Sequence, residues 1–239
     1  MSEANFPDRL RRVREDVREA AARADRDPGE VEILPVTKGH PASVIHLVAE
    51  SDLGRVAENR VGETERKLEE VGRLNLDWHM VGHLQRNKAR RAVEAFDVIE
   101  SVDSRRLARK LEREAREAGR EEVEVLCQVN TSGEESKGGF QVGADEEGAL
   151  EGVAEVCRQN RLRVRGLMTM APLTDEESVL RETFRVCRRF ARRCGEELSD
   201  FDPDVLSMGM SNDYEIAVEE GSTRLRLGTA LFGERSLGV

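Results

Sequence analysis

The sequence predicts a single (β/α)8 barrel spanning residues 1–239, and three observations carry the prediction. Apolar runs that read as strands occur eight times, each followed by a helical segment, at a spacing of about 20 to 40 residues. No shift in composition and no linker divides the chain, so one domain is expected. A Gly-x-Gly-x-x-Gly turn, usual after an early strand of an open doubly wound sheet, is missing.

The elements follow in order. Residues 6–25 place Leu10, Val13, Val17, Ala20 and Ala21 on one stripe of a helix, which Asp27-Pro28-Gly29 ends. In VEILPVTKGH (31–40), Val31, Ile33, Leu34, Pro35 and Val36 form an apolar run that reads as a strand buried on both faces. Pro41 suits the first turn of a helix over 41–50, and a short strand at 53–57 precedes a charged helix over 61–72. Leu76 to Val81, with the only tryptophan, Trp78, is a third strand, and GHLQRNKARR opens the next helix. Strands at 97–102, 123–130, 162–168, 204–207 and 223–227 follow. Helices are expected at 104–118, 145–159, 175–198 and 211–220, with a Gly- and Ser-containing loop over 131–143.

Composition narrows the function. Charged residues make up 36% of the chain and the net charge is −10, which argues against binding a phosphate backbone. Arg9, Arg11, Arg12, Arg14 and Arg18 alternate with Glu and Asp and read as a solvated, salt-bridged face. The acidic, lysine-poor surface is compatible with a salt-rich cytoplasm; stability indifferent to added salt would remove that idea. Cys127, Cys157, Cys187 and Cys194 are widely spaced and read as reduced, mostly buried thiols. The N-terminus lacks a signal-peptide pattern and no apolar run reaches bilayer-spanning length, so a cytoplasmic protein without a membrane partner is expected.

In a barrel, chemistry sits where strands end and loops begin. Lys38 lies at the end of strand one, where partial loss of water lowers an amine's pKa and makes it a nucleophile toward aldehydes. It is one of five lysines (Lys38, Lys67, Lys88, Lys110, Lys137) against 33 arginines. Asn59 lies just past strand two and Met168 closes strand six. The loops after strands seven and eight read SMGMSND (207–213) and RLGT (226–229), at the positions where barrels often hold a phosphate. There Ser207, Gly209, Gly228 and Thr229 offer hydroxyls and close backbone approach, and a helix beginning near Ser211 would point its N–H groups at an anion. A nucleophilic lysine facing a phosphate cradle suits an aldehyde bearing a phosphate. Pyridoxal 5′-phosphate and the phosphorylated sugar of a Schiff-base aldolase both fit, and these parts do not separate them.

VTKGHP, AENRVGE, WHMVGHLQRNK, GLMTM, LSMGMSNDYEIAVEEGST and RLGTALFGER, in order from about residue 31 to residue 235, resemble the pyridoxal phosphate homeostasis protein family. That family is similar to the N-terminal barrel domain of alanine racemase. The resemblance implies that Lys38 is the Schiff-base lysine, that Asn59 lies beside the cofactor and that Met168 packs near its ring. It further implies that Ser207, Gly228 and Thr229 hold the phosphate and that Arg226 faces the pyridine nitrogen. A guanidinium keeps its proton, so Arg226 would leave the ring a poor electron sink.

Racemases of this fold use a tyrosine from an additional C-terminal domain as second base. This chain stops at Val239, and its one tyrosine, Tyr214, falls in the helix after the phosphate loop, in a core or surface role. A binding and homeostasis protein is therefore expected, with a racemase or an aldolase as rivals, transient contact with pyridoxal-phosphate-dependent apoenzymes, and a monomer. The sequence departs from the family's aromatic-Gly-Glu-Asn-Tyr run at Ala57 and Arg60, while Glu58 and Asn59 are kept. Lys137 matches a family lysine and ranks second for aldehyde capture, being on a polar loop. His79 and His83 are assigned structural or loop roles, and no metal site is expected.

Overall fold

A computed structural model of the chain describes residues 5–134 and 138–234; Lys137 lies outside the described residues. The chain opens with α1 (Phe6–Arg23), then β1 (Glu32–Pro35), α2 (Ser43–Ala49), β2 (Arg55–Glu58), α3 (Val61–Val71), β3 (Asp77–Met80) and α4 (Ala89–Ala95). It continues through β4 (Val98–Val102), α5 (Arg105–Glu117), β5 (Val123–Asn130), β6 (Phe140–Gln141), α6 (Glu146–Cys157) and β7 (Leu162–Met168). The last elements are α7 (Glu177–Glu197), β8 (Phe201–Ser207), α8 (Tyr214–Glu219), β9 (Arg224–Leu227) and α9 (Thr229–Phe232).

Eight strands pair in parallel in the order β1-β9-β8-β7-β5-β4-β3-β2, while the short β6 pairs with β5 off this path. The two end strands meet at a bridge between Val36 and Ala57, so the barrel is nearly closed. The predicted (β/α)8 architecture is the observed one. Alternation along each strand sorts the side chains. Ile33, Val56, Trp78 and Ile99 point outward into the main apolar cluster beneath the helices. Leu34, Val36, Ala57 and Val81 form a small cluster inside the barrel, and Leu126, Met168 and Val205 form a second.

Asn5 starts α1 by accepting a hydrogen bond from the Asp8 N–H at 3.1 Å. Leu10, Val13, Val17, Ala20 and Ala21 are buried, as their spacing predicts. The helix packs against α8 and the four-residue α9, covering barrel surface that a helix so short leaves bare. Its charged face reaches α8 through Arg23, which pairs with Glu219 at 2.5 Å and Glu215 at 3.0 Å. The four cysteines are free thiols, with Cys127, Cys187 and Cys194 buried. No helix among the described residues is long and apolar enough to cross a membrane.

Several boundaries differ from the sequence reading. The loop expected over 131–143 contains β6, and β8 begins three residues early, at Phe201. The helix expected near Ser211 begins at Tyr214. Residues 211–213 form a turn instead, because the Asp213 carboxylate accepts the Met210 N–H at 2.6 Å. Such local side-chain bonds compete with a helical start.

Candidate functional site

A cavity of about 490 Å3 opens at the carboxyl ends of the strands. Lys38, Asn59, Arg226, Gly228 and Thr229 line it, together with Ser211 and the loop from Met170 to Asp175. Five of the eight residues predicted from sequence thus meet around one space, although they come from opposite ends of the chain. Met168, Ser207 and Gly209 do not line it.

Lys38 stands on the turn after β1 and is half-buried. Its neighbour Thr37 is fully buried and donates its N–H to the Ala57 carbonyl at 3.0 Å. Asn59 continues β2 into the cavity wall. Gly82, after β3, lets the two chains come close here: a Cβ on it would sit 2.3 Å from the Asn59 carbonyl oxygen. Any larger residue would push Asn59 from the wall.

Arg226 projects from β9 and is 5% exposed. Its Nη1 donates to the Ser207 carbonyl at 2.6 Å and to Ser207 Oγ at 2.9 Å, and its Nη2 donates to the Thr169 carbonyl at 2.8 Å. Three acceptors at the ends of β7 and β8 therefore fix the plane of the guanidinium. Burial lowers its pKa, opposed by the charges of Glu100 and Asp213.

The three residues away from the wall have other duties. Ser207 is fully buried, and its hydroxyl donates to Glu100 Oε2 at 2.6 Å while accepting from Arg226. With its one proton engaged, this hydroxyl has none to offer a phosphate. Gly209 adopts φ +96°, and a Cβ there would meet the Ala217 Cβ at 2.6 Å. Packing of α8 against β9 requires that glycine. Met168 is fully buried in the inner cluster below the cavity.

Beneath Arg226 a charged network fills the barrel interior. Glu100 Oε1 meets His79 Nδ1 at 2.8 Å and Arg224 Nη1 at 3.1 Å, and Arg224 Nη2 lies 2.8 Å from Glu32. Burial alone would raise the Glu100 carboxyl. The Arg224 charge, the His79 hydrogen bond and Arg226 outweigh that and hold it well below the ordinary carboxylate range. His79 thus serves this network, and His83 pairs with Asp103 at 3.0 Å.

On the other side of the cavity, Lys67 is deeply buried, its side chain 6% exposed. Its Nζ donates to the Thr37 carbonyl at 2.8 Å and to Glu58 Oε1 at 2.5 Å. Ser211 and Lys67 were missed from sequence. The scarcity of lysine pointed to Lys67 as much as to Lys38, but a charged helix concealed its burial. Spacing alone marks Ser211 only as the start of a helix.

The likeness to known proteins agrees with this barrel. Residues 9–236 match the family model described as alanine racemase, N-terminal domain. An alanine racemase structure from Clostridium difficile superposes with a TM-score of 0.77 at 15% identity, covering 96% of this chain and 59% of that one, which shows the fold. The pyridoxal phosphate homeostasis protein of Pseudomonas aeruginosa is 39% identical over 99% of this chain and 98% of its own length. The structure of PipY from Synechococcus elongatus with PLP bound is 35% identical, with a TM-score of 0.78, covering 91% of this chain and all of that one. The chain belongs to the family of pyridoxal phosphate homeostasis proteins, whose resemblance the sequence motifs carried.

Proposed function

We propose that this protein binds pyridoxal 5′-phosphate in the 490 Å3 cavity, holds it as a Schiff base on Lys38, and so keeps the free aldehyde low in the cytoplasm. The observation that carries the reading is the convergence on one cavity of a half-buried amine, a fixed guanidinium and the hydroxyl-bearing turns at Ser211 and Thr229. The donor set suits the cofactor. Lys38 would condense with the aldehyde, the new C=N bond replacing C=O and the oxygen leaving as water. Gly228, Thr229 and Ser211 would hold the phosphate in place of Ser207, whose proton already serves Glu100. Asn59 would bound the ring edge, Arg226 would meet the ring nitrogen, and Met168 would support the floor through the cluster below. The bound cofactor supplies an electron sink, and Arg226 limits it by keeping its own proton.

In this reading the protein is a carrier rather than an efficient catalyst, and it passes the cofactor to dependent apoenzymes by transient contact. Tyr214, the sole tyrosine, supports that view: its hydroxyl donates to Asp16 on α1 at 2.5 Å, and Tyr214 lies outside the cavity wall. Burial and then Asp16 raise its pKa, the wrong direction for a base.

The test is the absorption spectrum of purified protein with pyridoxal 5′-phosphate, beside Lys38→Ala, with borohydride trapping and peptide mapping. An imine band lost in the variant, with the label on Lys38, is expected. A label on Lys137, or trapping that requires a sugar phosphate, would overturn the assignment. Rapid α-hydrogen exchange with inversion of alanine would favour a racemase over a carrier.

A further inference from the structure

The turn that carries Lys38 has little sheet to hold it. β1 pairs with β9 as far as Pro35 and Leu227, and it meets β2 through the single bridge at Val36 and Ala57. Two side chains of α3 grip the turn instead, one on each side of Lys38. Before it, the Thr37 carbonyl accepts from Lys67 Nζ at 2.8 Å, and the Thr37 hydroxyl donates to Glu58 at 2.5 Å. After it, the Gly39 N–H donates to Glu63 Oε1 at 2.6 Å. Lys67 joins the two grips, with Nζ 2.5 Å from Glu58 and 3.4 Å from Glu63. The bonds to residues 37 and 39 both fall on the backbone flanking one amine.

We propose that Lys67, with Glu63, is a positioning residue for Lys38: it acts through the Thr37 carbonyl to fix where the Lys38 amine meets an aldehyde in the cavity. The inference rests on Lys38 as the capturing amine. Releasing the Thr37 carbonyl lets the turn wander, and an amine displaced by about an ångström from a bound aldehyde loses much of its advantage.

Removing Lys67 also strands the buried Glu58 carboxylate, so the test separates the two effects. Lys67→Met is compared with the double variant Lys67→Met, Glu58→Gln, which removes the stranded charge but leaves the Thr37 carbonyl with only the His40 N–H of its own turn, at 3.1 Å, and no tie to α3. Apo thermal midpoints, imine titration with pyridoxal 5′-phosphate and the rate of borohydride trapping are measured for each. The double variant is expected to regain stability yet form the imine roughly tenfold more weakly or slowly than wild type. Wild-type imine formation in a stable double variant overturns the proposal.

Glu63→Ala, which removes the acceptor of the Gly39 N–H, keeps the proposal testable if the double variant does not fold, because Glu63 is partly exposed and outside the buried pair. A severalfold slower trapping rate at an unchanged midpoint is expected there, and an unchanged rate overturns the clamp. A wild-type label away from Lys38 fails the Lys38 assignment itself, a result distinct from either variant outcome.

Discussion

Two fully buried glutamates flank the cavity, Glu58 under the Lys38 turn and Glu100 under Arg226, and they titrate in opposite directions. Burial raises both. At Glu58 the opposing cation is Lys67, helped by the Thr37 hydroxyl, and burial wins. At Glu100 two arginines and His79 face the carboxylate, and they win. The number of cations within reach, rather than depth, decides whether a buried carboxyl is easier or harder to ionise. The lysine side is built to hold one turn. The arginine side is built to keep Arg226 charged and still.

The comparison is broken most severely at Glu100. Glu100→Ala leaves Arg224 with Glu32 alone and takes the partner from His79 and the acceptor from the Ser207 hydroxyl, and a cost of about 3–5 kcal/mol is expected in denaturant unfolding. Glu58→Gln should cost less, since Glu63 remains near Lys67 and a lysine, unlike an arginine, can shed its proton when its counter-charge is gone. Equal costs would show that depth alone matters.

Acid sharpens the contrast. A Glu100 carboxyl depressed below its ordinary 4.5 contributes stability that is present above that value and is lost as pH falls through the folded one. Glu58, raised, contributes the reverse: it favours the fold at low pH, and that contribution is lost as pH rises through its folded value. Unfolding midpoints followed from about pH 7 to about pH 3 should fall in wild type and fall less in Glu100→Gln. An identical slope would remove Glu100 from the account.

The smallest effect belongs to the edge of the arginine side, where α8 carries the phosphate-side loop. Tyr214→Phe removes the hydrogen bond to Asp16 that ties α8 to α1, and a loss of about 1 kcal/mol is expected with the imine spectrum unchanged. A changed spectrum would place Tyr214 in the site after all.

What the sequence determined by itself was periodicity and end chemistry. The apolar run of VEILPV, the helical stripe of Leu10, Val13 and Val17, and the glycines after the last strands are local signals, and local signals set the barrel and five members of the cavity wall. Tertiary structure alone decided how polar groups inside the barrel share their protons. Ser207 reads as a phosphate ligand until Glu100, more than a hundred residues away, is seen to take its hydroxyl. Lys67 reads as a solvated helix residue until the Thr37 carbonyl and Glu58 are found against it. A hydroxyl has one proton and a buried ammonium needs acceptors on every side, and which partners meet them depends on contacts that spacing along the chain does not encode.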